Sequence, residues 1–219
     1  GSIKFAITLK DNNIIEVGYF PVVGEYNHVL CISSQVGCGV NCVMCESGRN
    51  GFRRNLVYYE IYKQVELVYD YLTNKTIIEE NGVFGSIGIM GVGEPGNNSN
   101  NVFAAVKLIR ESKMVDKDCL INLATTGGKS GFISELCDHN IDLFLSLHFA
   151  IPEKRKEYIP GSQWELEELL DIADKSIPYV VNYITIKGLN DTEEDIKALV
   201  NLLKNRKKLR YVWLLSLNK

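Results

Sequence analysis

The run Cys31-Ile32-Ser33-Ser34-Gln35-Val36-Gly37-Cys38-Gly39-Val40-Asn41-Cys42-Val43-Met44-Cys45 carries three closing cysteines set four and then three residues apart. Three thiolates can hold three corners of a cuboidal iron–sulfur cluster, a centre that normally takes four cysteines. The fourth iron is then open to a small molecule. The triplet follows an apolar segment that reads as a strand, so its glycine-bearing loop sits at a strand end. A zinc knuckle is the other reading of Cys38, Cys42 and Cys45. Zinc usually takes four protein ligands in paired short spacings, and no second Cys or His pair stands nearby.

Outward from this loop, short apolar runs alternate with amphipathic stretches. Before it, the turn Lys10-Asp11-Asn12-Asn13 joins two strand-like segments, so residues 1–27 read as a β-hairpin extension. Strands are expected at 28–35, 85–91, 119–126, 142–149, 179–187 and 210–218. Helices are expected at 57–73, 100–113, 131–140, 164–176 and 192–206. The last has the clearest signals, with Asp191 or Thr192 as its cap, acids in its first turn and Lys204, Arg206, Lys207 and Lys208 at its end. Alternating strands and helices imply an α/β fold with a parallel sheet. Right-handed crossovers curl six such units into a partial (β/α)6, TIM-like barrel over 28–219. In α/β barrels the chemistry gathers at the carboxyl ends of the strands, where the cysteine loop falls.

The 219 residues are 46% hydrophobic, enough for one sizeable core, and 24 basic against 27 acidic residues leave a net charge of −3. That balance excludes a strong, non-specific nucleic-acid binder but allows a local basic patch. No apolar run is long enough to span a membrane, and Gly1-Ser2 reads as a cloning scar with no signal peptide after it. Three cysteines crowded into one loop, with Cys31, Cys119 and Cys137 in apolar segments, suit a reduced cytoplasmic protein better than a disulfide scaffold.

The chain resembles the radical S-adenosylmethionine (SAM) superfamily. Within it, the likeness is to the dual-specificity enzymes that methylate adenosine of ribosomal and transfer RNA at carbon 2, and to their carbon 8 relatives. The carrying residues are the 31–38 stretch, Gly51-Phe52-Arg53-Arg54-Asn55-Leu56, Gly91-Val92-Gly93-Glu94-Pro95, Ser146-Leu147-His148 and Gly188-Leu189-Asn190-Asp191. The resemblance implies a partial barrel of the radical SAM type, with a 4Fe-4S cluster on Cys38, Cys42 and Cys45 and S-adenosyl-L-methionine on the open iron. It implies that Gly93 and Glu94 receive the methionine ammonium. Ser146, Leu147 and His148 would contact the ribose and adenosyl part, Asn218 the adenine side. Met44 either packs near the adenine or fills the core. Where the family typically has a serine in the third strand, this chain has Ala124, followed by Thr125 and Thr126, so one hydroxyl contact is lost or moved.

Methylating members use two further cysteines. Cys31 stands where one of them assists resolution of a covalent protein–RNA intermediate; read from the residues alone, it is equally a small buried hydrophobe. The other, a methyl carrier, lies beyond the sixth strand, and no cysteine of this chain occupies that place. The leading expectation is therefore an enzyme that cleaves SAM reductively to a 5′-deoxyadenosyl radical and acts on a nucleotide-like or RNA substrate. Its electron donor would be flavodoxin or ferredoxin. The alternatives are a full RNA adenine methyltransferase, whose carrier cysteine this chain lacks, and a non-catalytic iron–sulfur or zinc module. Arg49, Arg53 and Arg54, with Lys154, Arg155 and Lys156, are expected near the mouth, where they meet phosphates or a donor, or form solvated loops.

Overall fold

The computed structural model describes residues 1–78 and 83–217. In chain order its elements are β1 (Ile3–Thr8), β2 (Ile14–Val23), β3 (Tyr26–Cys31), β4 (Gln35–Val36), α1 (Glu46–Arg49), β5 (Arg54–Asn55), α2 (Tyr58–Asn74) and β6 (Phe84–Ile89). A 3-10 turn (Pro95–Asn98) leads into α3 (Ser99–Glu111), then β7 (Val115–Thr125), α4 (Phe132–Glu135), a second 3-10 turn (Cys137–His139) and β8 (Asp142–Ser146). The chain continues through α5 (Pro152–Tyr158), α6 (Leu166–Ser176), β9 (Tyr179–Thr185), α7 (Glu193–Leu203) and β10 (Leu209–Ser216).

Eight of these strands form one sheet in the order β1-β2-β3-β6-β7-β8-β9-β10. The six from β3 onward are all parallel. The hairpin extends this sheet, because β2 runs antiparallel to both β1 and β3. This is the expected partial barrel.

Strand alternation divides the sheet into two faces. Leu30, Ile87, Ile121, Leu123, Leu143, Leu145 and Val181 belong to the main core, with Ile61, Val65, Val68 and Leu72 of α2 and Val102, Val106 and Ile109 of α3. Those helix residues recur every three or four positions, which puts them on one side of each helix. The opposite, inward face carries Ser86, Asn122, Phe144, Ser146, Val180 and Asn182. Registers such as Phe144 with Val180, and Ser146 with Asn182, align them. The strands curl around this face: the Phe144 and Trp213 rings, two strands apart, lie 6.2 Å centre to centre.

Several elements depart from expectation, each for a local reason. β3 stops at Cys31 because the Ser33 backbone leaves the sheet to pair with a side chain: its N–H donates to Gln64 Oε1 and its carbonyl accepts from Gln64 Nε2, both at 2.8 Å. β8 stops at Ser146, two residues before His148 takes a positive φ of 56°. The helix expected over 131–140 divides into α4 and a 3-10 turn. There His139 stacks on Phe103 at 4.0 Å, and Asn140 ends the segment in the left-handed region. The short helices α1 and α5 were not expected at all.

Candidate functional site

The cysteine loop is held at its base before it is shaped at its tip. Gln35 and Val36 pair antiparallel with Asn55 and Arg54, so β4 and β5 close residues 37–53 into a loop. Gly37 has a φ of +71°, and a Cβ there would lie 1.8 Å from the Gly51 carbonyl oxygen, so only glycine fits the crossing. The buried polar residues before the loop are all engaged. Ser33 Oγ donates to the Glu16 carbonyl, Gln35 Nε2 donates to Asn55 Oδ1, and Asn98 Nδ2 donates to both Ser34 O and Leu56 O. Gln64 and Asn98 were missed in the sequence, and Asn55 was quoted there without this role. Their partners are distant in the chain, and no local pattern marks an amide that will meet a loop backbone.

Cys38, Cys42 and Cys45 converge on one mouth. Burial raises the thiol pKa of Cys38, with Glu94 and Cys45 adding to the rise, and burial pushes that of Cys42 up to about 12, with Cys45, Cys38 and Glu94 adding to it. Cys38 and Cys42, with Met44, pack against Val40, Phe149 and Ile159. Met44 is thus part of a small apolar cluster under the loop. Among the described residues, no three His, Cys, Asp or Glu side chains group tightly enough for a single ion. A cuboidal cluster sets its ligands wider apart than one ion does. Cys31 stands apart: the groups acting on Cys38 and Cys42 do not include it, and burial raises its own thiol to about 11.

Gly93 and Glu94 lie just past β6, against the start of the loop. Gly93 has a φ of +114°, and a Cβ there would meet Gln35 Cβ and Ser34 Oγ at 2.7 Å. The Glu94 carboxylate is buried and fully engaged. Oε1 accepts from Gly96 N at 2.9 Å and from the Thr125 hydroxyl; Oε2 accepts from Thr126 N at 2.8 Å and the Thr126 hydroxyl at 2.9 Å. The two threonines after Ala124 therefore hold Glu94. They are not free hydroxyls at the third strand end.

Ser146, Leu147 and His148 follow the end of β8. The left-handed backbone of His148 turns the chain over the site, and for a non-glycine residue that conformation is costly and concentrates at functional positions. Its Nδ1 accepts from Ile184 N at 3.2 Å, and its carbonyl accepts from Asn190 Nδ2 at 2.7 Å. This geometry assigns the proton to Nε2. Burial, aided by the Arg155 charge, lowers the His148 pKa to about 3, so the ring is neutral. Asn182, aligned with Ser146, keeps a buried Oδ1 without a partner. Asn218 lies outside the described residues.

The basic residues divide. Arg54 is spent internally, on Asp11 at 2.6 Å and Glu60 at 2.7 Å. Arg53 donates to Asn13 Oδ1, and Arg49 pairs with Glu46. Lys154 pairs with buried Asp195 at 2.7 Å. Arg155 is buried, and Lys156 is exposed. The expected phosphate-facing group is thus reduced mainly to Lys156 and the exposed ends of Arg49 and Arg53. The donor set nonetheless fits a cluster with a polar ligand. Three thiols share one mouth, glycines line the approach, and the Arg155 Nε and Asn182 Oδ1 are buried without partners.

No family model matches the chain. It is 35% identical over 214 residues to the dual-specificity RNA methyltransferase RlmN of Ruthia magnifica subsp. Calyptogena magnifica, covering 93% of this chain and 58% of that protein. Against RlmN of Phenylobacterium zucineum, identity is 33% over 216 residues, covering 93% of this chain and 55% of that protein. The chain spans little more than half the length of these curated relatives. A radical SAM methyltransferase structure from Sphaerobacter thermophilus superposes with a TM-score of 0.87 at 25% identity, covering 100% of this chain and 64% of that one. The curated relatives are thus RNA methyltransferases, and the superposed structure is a radical SAM methyltransferase.

Proposed function

We propose that this chain, homologous to radical SAM RNA methyltransferases, binds a 4Fe-4S cluster through Cys38, Cys42 and Cys45 and S-adenosyl-L-methionine beside it, and acts on a nucleotide-like or RNA substrate. The observation that carries the reading is the convergence of these three thiols at the carboxyl end of β3, next to buried Glu94. When bound, that cofactor pair supplies one-electron reductive cleavage of the sulfonium to a 5′-deoxyadenosyl radical. The chain supplies position and dryness. Val40, Phe149 and Ile159 back the loop with apolar surface. Glu94, locked by Thr125 and Thr126, puts a fixed negative charge beside Gly93, suited to an ammonium group. Neutral His148 offers an Nε2–H donor at the end of β8.

A one-electron donor such as flavodoxin or ferredoxin and a cytoplasmic setting belong to the same reading, because the cluster must be reduced and its thiols kept unbridged. No described helix is long and apolar enough to cross a membrane. The test is anaerobic reconstitution followed by dithionite, SAM and an assay for 5′-deoxyadenosine. Product above that of Cys38→Ala is expected; equal traces from both proteins leave only a binding module.

Full RNA adenine methylation is the second reading, favoured by the homologues and by Cys31 at the end of β3. Burial keeps Cys31 a thiol at neutral pH, so a role as attacking or resolving group requires a base brought in with the substrate. Labelled methyl recovered on RNA would establish it, and Cys31→Ala would then trap or abolish turnover.

A further inference from the structure

Arg155 is only 3% exposed, yet it makes no ion pair among the described residues. Its guanidinium donates to Ser146 O and Thr126 O at 3.1 Å, to Leu147 O, and at 3.4 Å to Ser162 Oγ. These partners are dipoles, and Nε is left buried with none. A buried charge is costly unless an opposite charge compensates it. The acid that acts on it is Glu94, which lies beyond ion-pair distance and already accepts four hydrogen bonds. The thiol that acts on it is Cys42.

The helix bearing this cation is also stitched to the cysteine loop. Val43 N donates to Tyr158 O at 3.0 Å, and Gly161 N donates to Val40 O at 2.9 Å. Gly161 presses so closely that a Cβ there would lie 2.4 Å from Val40 Cα. The α5 segment therefore closes the loop and carries an uncompensated positive charge to it.

We propose that Arg155 is the resident counter-cation of the group held by Cys38, Cys42 and Cys45 and sets its reduction potential. The proposal rests on the cluster reading above. A thiolate-ligated cluster is anionic and gains one further negative charge on reduction. A fixed cation in a low-dielectric site favours the more negative form, so Arg155 raises the potential. Arg155 is a positioning and tuning residue: it acts through the cluster.

The experiment is a redox titration followed by electron paramagnetic resonance, without SAM, on reconstituted wild type, Arg155→Met, Arg155→Gln, Arg155→Lys and Lys156→Met. Arg155→Met and Arg155→Gln are expected to lower the midpoint by at least a tenfold change in the reduction equilibrium, about 59 mV for one electron. Arg155→Lys, which keeps the charge, is expected to stay closer to wild type. Lys156→Met removes the same charge from the exposed neighbouring position and should leave the midpoint in place. The glutamine variant carries the test if the methionine variant does not fold. Neutral variants with wild-type iron and sulfide content but an unmoved midpoint would overturn the proposal, as would an equal drop in Lys156→Met. Wild type that takes up no cluster would instead overturn the reading beneath it.

Discussion

His148 is a neutral imidazole held in a backbone conformation that few histidines adopt, with a φ of 56°. Its pKa is lowered from 6.5 to about 3, so between those values the unfolded chain binds a proton that the folded chain refuses. Stability from this residue is therefore whole above pH 6.5 and drains away as the pH falls toward 3. His148→Gln should flatten the loss of urea stability between pH 7 and pH 5, a range above most carboxylate titration; parallel slopes would contradict the assignment. Glu94→Gln replaces one accepting oxygen with an NH2 donor, so at least one of the Gly96 and Thr126 N–H groups loses its acceptor. The expected cost is about 1–3 kcal/mol by urea denaturation. A variant as stable as wild type would mean the four bonds are not made in solution.

The elements around the site meet backbone to backbone, and glycines set the distances. Gly128, after β7, has a φ of +61°, and a Cβ there would lie 2.4 Å from Gly96 Cα in the turn after β6. Gly24 has nearly the same φ, +60°, with nothing within 4 Å. Gly24→Ala should therefore cost about 1–2 kcal/mol for the left-handed backbone alone. Gly128→Ala should cost a further 1–3 kcal/mol or so for overpacking. Urea midpoints compare them directly, and equal losses would deny the close approach. Arg54 fastens three elements at once, joining the hairpin turn at Asp11, β5 and the first turn of α2 at Glu60. Because it is about one third exposed, water screens these pairs, and Arg54→Ala should cost only about 1 kcal/mol, less at high salt.

At the scale of the whole molecule, the parallel order of the strands and the loop's place at a strand end were legible because both follow from local pattern. Apolar runs spaced by amphipathic stretches dictate crossovers, and three cysteines in one loop need no tertiary information. The cap of α7 was equally local: of Asp191 and Thr192, the two expected candidates, Thr192 takes it, its Oγ accepting from Asp195 N at 3.3 Å. What escaped was non-local. Gln64 ends β3 from another element, Thr125 and Thr126 occupy Glu94 from the neighbouring strand, and Arg155 reads in sequence as one more basic residue between Lys154 and Lys156. Their roles arise only when the sheet curls and brings strand ends together. The proposed function requires an iron at this mouth that is open to SAM. Its most direct test is the electron paramagnetic resonance spectrum of the reduced, reconstituted protein before and after SAM is added. A 4Fe-4S signal whose g-values shift on addition, and which is absent from Cys42→Ala, is expected. A signal indifferent to SAM, or a centre that survives loss of Cys42, would contradict it.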